Sequence, residues 1–240
     1  MRLSVFLLIV SISNCFAQVD SRKSGYQYMS RQTQAMQDDE ATGPAVLSLL
    51  DGEALWKKDC SSCHKAGMKG VAARYPVLHH GKLVNLEQRI NACRVEQQKA
   101  AAFPYESKDL LALTAFIGRQ SRGLPIQVDT TGPYASYFEA GKRTFYKRQG
   151  QLNLACTQCH DDNVGKKLAG SVIPGAHPTG YPIYRLEWQG MGSLHRRLRN
   201  CLTGMRAENY ALGSPELVEL ELFLMWRARG MKIETPAVRP

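Results

Sequence analysis

The amino-acid sequence predicts a mainly α-helical protein with two tandem domains that are related by an internal repeat. Three features occur in the same order in each half of the 240 residues: a Cys-x-x-Cys-His motif, a later segment with one further cysteine, and a closing amphipathic helix. Such a repeat identifies equivalent positions within one chain. The predicted domains span residues 44–128 and 129–240, and a polar N-terminal arm, 18–43, precedes them.

The first 17 residues predict a secretory signal peptide. Arg2 precedes a short apolar stretch, and small or polar residues lead to a cleavage point after Ala17. A lipoprotein modified at Cys15 is the alternative. No later stretch approaches about 18 consecutive apolar residues. The mature chain is therefore expected to lack a membrane span and to be soluble in an oxidising compartment, the periplasm of a bacterium.

The composition favours anionic ligands or acidic protein partners. The chain carries 31 Lys and Arg against 21 Asp and Glu, a formal charge of +10. These cations are scattered, without a basic helix or a nucleic-acid motif, so we expect no nucleic-acid binding. A generic basic surface is the alternative. Of the seven cysteines, six remain after loss of Cys15: four in the two motifs, and Cys93 and Cys201.

The two Cys-x-x-Cys-His motifs predict two covalently bound c-type haems. In this motif each thiol adds to one vinyl group of the porphyrin, and the adjacent imidazole becomes the proximal ligand of the iron. Haem 1 is expected on Cys60 and Cys63 with His64, and haem 2 on Cys156 and Cys159 with His160. Two disulfides, or two half-zinc sites with stray histidines, are the alternative.

Helices are predicted on both sides of each motif. Apolar residues recur at helical spacing before each motif and again near the end of each half. The first closing helix is expected to end at Arg122. The second is expected to have Ser214 as its N-cap, Pro215 in its first position and Arg229 at its end. This order of elements is that of a small cytochrome c domain, present twice.

The segments around Cys93 and Cys201 occupy one position of the repeat. Leu86–Cys93 matches Leu194–Cys201, with a leucine seven residues and an arginine four residues before each cysteine. A Tyr-Pro pair also lies 18 residues before Cys93 and 20 residues before Cys201. The two cysteines are therefore expected to have one structural position.

These cysteines are the predicted sixth ligands of the irons. Methionine, the usual sixth ligand in small electron-transfer cytochromes, is absent between Met68 and Met191. The first domain must then use His79, His80, Cys93 or no side chain. The second offers His177, Met191, His195, Cys201 and Met205. Only the cysteines recur at matching positions, whereas the histidines outside the motifs are assigned to loops or hydrogen-bonded surface roles. A Cys93–Cys201 disulfide and a pair of buried structural thiols are alternatives.

Positive charge distinguishes the second haem site. Arg197 lies one helical turn before Cys201, and a cationic surrounding lowers a thiol pKa and attracts an anion to the sulfur. The first copy keeps Arg89 without further arginines nearby. The second adds Arg196, Arg199 and Arg206. We therefore predict that the chemistry takes place at Cys201 and Arg197. Contacts with haem propionates or with solvent are the alternatives for each arginine.

With these motifs the sequence resembles the SoxA family, the dihaem subunits of SoxAX cytochrome complexes in bacterial sulfur oxidation. The resemblance rests on both haem motifs, on Tyr75-Pro76 with Asn91–Arg94, on Tyr181-Pro182 with Arg197–Cys201, and on the C-terminal Pro236–Pro240. It implies an L-cysteine S-thiosulfotransferase. Such an enzyme joins thiosulfate oxidatively to a cysteine of the carrier protein SoxYZ and passes two electrons to cytochrome c.

The resemblance also implies roles for single residues and a partner. Cys201 would be the axial ligand of haem 2 and the catalytic sulfur, and Arg197 would bind the substrate. A SoxX cytochrome subunit would complete a heterodimer. Thiolate ligation keeps the potential of haem 1 low, so we expect a structural role for it. A dihaem thiosulfate dehydrogenase that forms tetrathionate and a passive electron-transfer cytochrome are the alternative functions.

Overall fold

A computed structural model of the chain describes residues 20–240, so the predicted signal peptide and Cys15 lie outside the described residues. In the first half, α1 (Arg31–Asp38) precedes α2 (Val46–Asp59), the first motif, the hairpin strands β1 (Val77–His79) and β2 (Lys82–Val84), α3 (Leu86–Glu96) and α4 (Lys108–Arg119). The helices α2, α3 and α4 are the three that the first repeat predicts.

The second half repeats this succession with one added hairpin. Its elements are α5 (Ala135–Tyr146), α6 (Cys156–His160), β3 (Lys167–Leu168), β4 (Ser171–Val172), β5 (Ile183–Arg185), β6 (Gly190–Gly192), α7 (Leu194–Gly204), α8 (Pro215–Arg227) and β7 (Ala237–Arg239). Strand β5 pairs antiparallel with β6 and parallel with β7. The predicted mainly helical fold is confirmed, and α3 and α7 both span 11 residues.

The predicted ends of the closing helices were wrong by two or three residues. Helix α4 ends at Arg119 and α8 ends at Arg227, because the chain turns before it reaches the glycines at 123 and 230. Both glycines have a positive φ and lie in the tails beyond the helices. Helix α8 does begin at Pro215, but the Ser214 hydroxyl makes no capping hydrogen bond within residues 20–240.

In each half, the helix that precedes the haem motif crosses the closing helix at a glycine. A Cβ atom on Gly52 of α2 would lie 2.1 Å from the carbonyl oxygen of Ala112 in α4. The equivalent atom on Gly141 of α5 would lie 1.9 Å from the carbonyl oxygen of Glu219 in α8. Only a residue without Cβ permits this approach, so the two glycines fix the helix crossings on which both halves are built.

The two halves share a hydrophobic core and a backbone ladder. The tails after α4 and α8 pair with each other: the Ile126 N–H donates to the Met231 carbonyl over 2.9 Å, and the Ile233 N–H donates to the Leu124 carbonyl over 2.9 Å. Ile126, Met231 and Ile233 pack together with Met225 from α8. This burial stabilises the contact between the halves. The domain limits at 128 and 129 stay a prediction.

The N-terminal arm packs on the second half. Its helix α1 lies on β7, where the buried Gln37 side chain accepts a hydrogen bond from the Val238 N–H over 3.1 Å. Arg22 donates to the carbonyl of Arg229 just beyond α8, over 2.8 Å. Glu40 pairs with Arg119 of α4 over 2.6 Å, so the arm also contacts the first half. Across residues 20–240, no helix is long and apolar enough to cross a membrane.

Candidate functional site

The second Cys-x-x-Cys-His motif forms the short helix α6. Before it, Gln149 and Leu154 pair in a tight turn, and the Gln158 side chain accepts from the Ala155 N–H over 2.6 Å at the helix start. His160 Nδ1 lies 2.7 Å from the carbonyl oxygen of Pro174. Because a carbonyl only accepts, Nδ1 carries the proton, and Nε2 keeps the lone pair that binds a metal. The ring is therefore held in the tautomer that an iron ligand needs.

Cys201 faces this histidine from α7. Burial raises the pKa of the Cys201 thiol, but the interactions with His160 and with the charges of Arg197 and Arg185 outweigh burial, so the pKa is lowered from its ordinary value. A metal ligand must be a thiolate, and a lowered pKa favours that form. His160 and Cys201 thus offer one nitrogen and one sulfur, a donor set that would hold a haem iron.

The first motif lines a cleft that is partly open to solvent. Cys60, His64 and Cys93 all line this cleft. Its apolar walls come from Trp56, Met68, Leu86, Ile90, Leu113 and Ile117. Cys63 is exposed. Apolar walls with one imidazole and one thiol fit a haem, as the sequence predicts.

The two cysteine positions are equivalent in space. Burial raises the pKa of Cys60 to about 11, with a further contribution from the nearby Cys93 thiol. Burial likewise raises the pKa of Cys156 to about 12, with a contribution from the nearby Cys201. Every cysteine in residues 20–240 is unpaired, so the alternative of a Cys93–Cys201 disulfide was wrong. The ligand and catalytic roles of these residues stay predictions.

Arg197 is a half-buried cation without an acidic partner. No carboxylate within residues 20–240 lies within 4 Å of its guanidinium. Burial lowers the Arg197 pKa, but the Cys201 thiol and the Tyr181 hydroxyl outweigh this effect, so the pKa is raised. An unpaired guanidinium beside a thiol of lowered pKa attracts a small anion to the sulfur.

Comparisons with known proteins match this architecture. The family model described as the SoxA/TsdA cytochrome c domain matches residues 51–126 and 140–233. The L-cysteine S-thiosulfotransferase subunit SoxA of Pseudaminobacter salicylatoxidans is 36% identical over 233 residues, which cover 92% of this chain and 82% of that protein. This chain belongs to the SoxA family. The SoxA of Rhodovulum sulfidophilum is 34% identical, over 92% of this chain and 81% of that protein.

A solved SoxXA structure has the same fold. The crystal structure of SoxXA from P. pantotrophus superposes with a TM-score of 0.87 at 32% identity, covering 91% of this chain and 87% of that one. The predicted family is confirmed, and with it the binding of c-type haem by a cytochrome c domain. The assignment of particular residues of this SoxA-family chain to the haems stays a prediction, which the geometry of the two sites supports.

The arginines around Cys201 differ from the predicted cluster. Arg196 lies over the Trp188 ring, 4.2 Å from its centroid, and 3.9 Å from the Glu106 carboxylate. Arg206 follows the end of α7. The second guanidinium that acts on Cys201 is instead that of Arg185 on β5, paired with Glu187 over 2.9 Å. The repeat gives no sign of Arg185, because the Tyr-Pro pairs align it with a different residue type, His79, in the first half.

His195 is buried, so its predicted surface role was wrong. Its side chain is 1% exposed at the interface of the halves, where Nδ1 accepts from the Gly213 N–H over 3.2 Å. The protonated Nε2 therefore faces Glu221, 3.0 Å away. Asn85 donates to the same carboxylate over 3.1 Å. His195 is held by these partners and is not a candidate axial ligand.

The environment of Glu87 indicates that the free energy of unfolding depends on pH. Glu87 is buried beside this network, and its Oε2 has no hydrogen-bond partner within residues 20–240. Burial, with the nearby carboxylates of Glu221 and Glu106, raises its pKa well above the ordinary value. The folded chain thus binds this proton more tightly than the unfolded chain. The contribution of Glu87 to stability is complete below the unfolded pKa of about 4.3, falls by up to about 1.4 kcal/mol per pH unit above it, and stops falling once the pH exceeds the raised pKa of the folded chain.

We expect Glu87→Gln to remove most of this decline, because glutamine has the shape of the protonated acid and does not ionise. Urea unfolding of the haem-loaded protein at pH 5, 6, 7 and 8 measures the slope. The exposed Glu208→Gln is the control and should keep the wild-type slope. An unchanged slope in Glu87→Gln would show that other groups cause the pH dependence.

Proposed function

We propose that this SoxA-family chain is the dihaem subunit of an L-cysteine S-thiosulfotransferase, which joins thiosulfate to a carrier-protein cysteine. The observation that carries the proposal is the unpaired Arg197 guanidinium beside the Cys201 thiol. The relatives from Pseudaminobacter salicylatoxidans and Rhodovulum sulfidophilum, which are named for this activity, support it. Haem 1 is assigned to Cys60 and Cys63 and haem 2 to Cys156 and Cys159.

The residues around Cys201 suit this reaction. Joining thiosulfate to a cysteine thiol forms one sulfur–sulfur bond and releases two electrons and one proton. Arg197 holds the thiosulfate dianion next to Cys201, and Arg185 adds positive charge to the same place. The lowered pKa of Cys201 favours the nucleophilic thiolate form of its sulfur. When bound, the haem supplies one-electron redox chemistry.

The proposed partners follow from the same reaction. A SoxX cytochrome subunit forms the heterodimer, in line with the SoxXA crystal structure from P. pantotrophus that this chain resembles. The carrier protein SoxYZ supplies the acceptor cysteine, and a cytochrome c takes up the two electrons. We place the complex in the periplasm, after removal of the signal peptide that the sequence predicts.

Arg197→Gln tests the proposal. It removes the cation and should lower kcat/KM for thiosulfate by about 100-fold, or about 2.7 kcal/mol, the size of a charge-assisted contact. The assay is cytochrome c reduction by the SoxX-containing complex with thiosulfate and carrier protein. Arg196→Gln is the matched control, because Arg196 is adjacent on α7 but lies over Trp188, and it should retain wild-type kcat/KM.

Two results would contradict the proposal. Equal kcat/KM in Arg197→Gln and wild type would show that Arg197 does not bind thiosulfate. Formation of tetrathionate at the full rate without carrier protein would favour the thiosulfate dehydrogenase instead. Mass spectrometry of the carrier protein detects the thiosulfate adduct directly.

A further inference from the structure

A cluster of three metal-binding side chains lies outside both candidate haem sites. His79 ends β1, His80 and Gly81 form the two-residue turn to β2, and Glu96 is the last residue of α3. His80 has φ +49° and Gly81 has φ +75°, the left-handed pair of a type I′ turn. Paired strands and a helix end therefore hold all three side chains in place.

The three side chains converge on one point. Nε2 of His79 lies 3.3 Å and Nε2 of His80 lies 3.7 Å from the same Glu96 oxygen, Oε2. All three ligand atoms lie within 4.8 Å of one another. The contact of His79 is a long hydrogen bond, and that of His80 exceeds hydrogen-bond distance. Ligands about 2.0–2.1 Å from a tetrahedral zinc ion lie about 3.3 Å apart, which is close to the observed spacing.

The repeat shows that the fold does not require these residues. The positions equivalent to His79 and His80 in the second half hold Arg185 and Leu186. The position three residues after the equivalent cysteine, which is Glu96 in the first half, holds Gly204 in the second. Helix α7 and the β5–β6 hairpin, whose connection has four residues instead of two, therefore form without a metal-binding side chain at any of the three places, so a structural role common to both halves does not explain these side chains.

The carboxylate is available for a metal ion. Within residues 20–240, the only salt-bridge partners of the Glu96 carboxylate are His79 and His80. Lys99 donates to the backbone carbonyl of Glu96 over 2.7 Å and leaves the side chain free. The side chains of His80 and Glu96 are 76% and 38% exposed, so a hydrated ion can reach the site.

We propose that His79, His80 and Glu96 bind one divalent transition-metal ion of the kind that prefers imidazole, such as Zn²⁺. Two imidazoles and one carboxylate supply three ligands, and solvent supplies the fourth. None of the three side chains lines the cleft of the first motif, so the metal site is separate from the haem site. Glu96 lies one helical turn beyond Cys93, so the bound ion adds positive charge beside the first haem site.

Zinc titration of the haem-loaded chain tests the proposal. The protein, prepared without a histidine tag and treated with EDTA, is titrated with Zn²⁺ by isothermal calorimetry. We expect one site, with affinity lowered by at least about 100-fold in His79→Ala, His80→Ala and Glu96→Gln, since even loss of an outer-shell partner costs about 10–100-fold. His177→Ala is the control, because His177 lies near Lys23 and far from this hairpin in sequence, and it should bind zinc normally.

Wild-type protein provides a test that does not depend on folding of the variants. Diethyl pyrocarbonate modifies accessible histidines, and mass spectrometry locates the products. Bound Zn²⁺ should protect His79 and His80 but leave the labelling of His177 unchanged. Absence of zinc binding, zinc binding that survives in the His79→Ala/His80→Ala double variant, or labelling that zinc does not alter would each overturn the proposal.

Discussion

Replacing Cys201 by alanine is expected to lower kcat for thiosulfate conjugation by about 1000-fold or more, because the reaction loses its nucleophilic sulfur. Cys156, which lies near Cys201, cannot replace it, because Cys156 belongs to the haem motif and is assigned to the haem. The effect should appear in the rate of cytochrome c reduction by the SoxX-containing complex at saturating thiosulfate and carrier protein. Unfolding by urea should stay close to wild type, because alanine fits the space of cysteine.

Cys201→Met separates catalysis from ligation. Methionine can bind haem iron through its thioether, but a thioether carries no proton and cannot act as a thiolate nucleophile. We therefore expect a six-coordinate spectrum with a raised potential and the same loss of turnover as in Cys201→Ala. Turnover that survives with only a shifted potential would mean that the chain is a passive electron-transfer cytochrome.

The repeat explains why so much of the site could be predicted from sequence. Cys93 and Cys201 lie on helices of equal length, after hairpins that follow the two Tyr-Pro pairs. A role assigned to a position that occurs in both copies must suit the residues of both copies. A resemblance that arises by chance in one copy is not expected in the other. Helical spacing then places Arg197 on the face of Cys201, and its charge acts on that thiol.

Contacts between distant segments could not be predicted in this way. Arg185 reaches Cys201 from a three-residue strand, which is too short for an alternating pattern to show. Arg196 is drawn to Trp188 and Glu106, and Glu106 lies in the first half of the chain. The partners of His195 are Gly213 and Glu221, which lie outside its helix, so the helix itself does not reveal the burial of His195. In each case the partner lies outside the helix that carries the residue.

The N-terminal arm also shows that local composition does not predict burial. Residues 18–43 have few apolar positions and were predicted to form an extension or arm, and this composition gives no sign that Thr33 and Gln37 are buried. Gln37 is buried because its side chain satisfies the backbone N–H of Val238, a strand group that would otherwise lack a partner. A hydrogen-bonding partner of this kind leaves no hydrophobic signal in the sequence.

The other large effect concerns the helix crossing at Gly141. We expect Gly141→Ala to lower the free energy of unfolding by about 2–3 kcal/mol, because the new Cβ would lie 1.9 Å from the Glu219 carbonyl oxygen and helices α5 and α8 must separate. Intrinsic helix propensity acts in the opposite direction and favours alanine by about 1 kcal/mol. Urea unfolding of the haem-loaded protein, followed by circular dichroism, measures the net change in the free energy of unfolding.

Gly204→Ala is the matched control for this effect. Gly204 ends α7, and a Cβ there would have no atom within 4 Å, so only helix propensity remains and the change should be neutral or stabilise by up to about 1 kcal/mol. Equal stability of the two variants would show that the crossing is not tight.

Because Phe145 of α5 and Phe223 of α8 pack in the cluster that also contacts Cys156, separation of these helices should also disturb the second haem site. Gly141→Ala should therefore alter the spectrum of haem 2 as well as stability, which Gly204→Ala should leave unchanged.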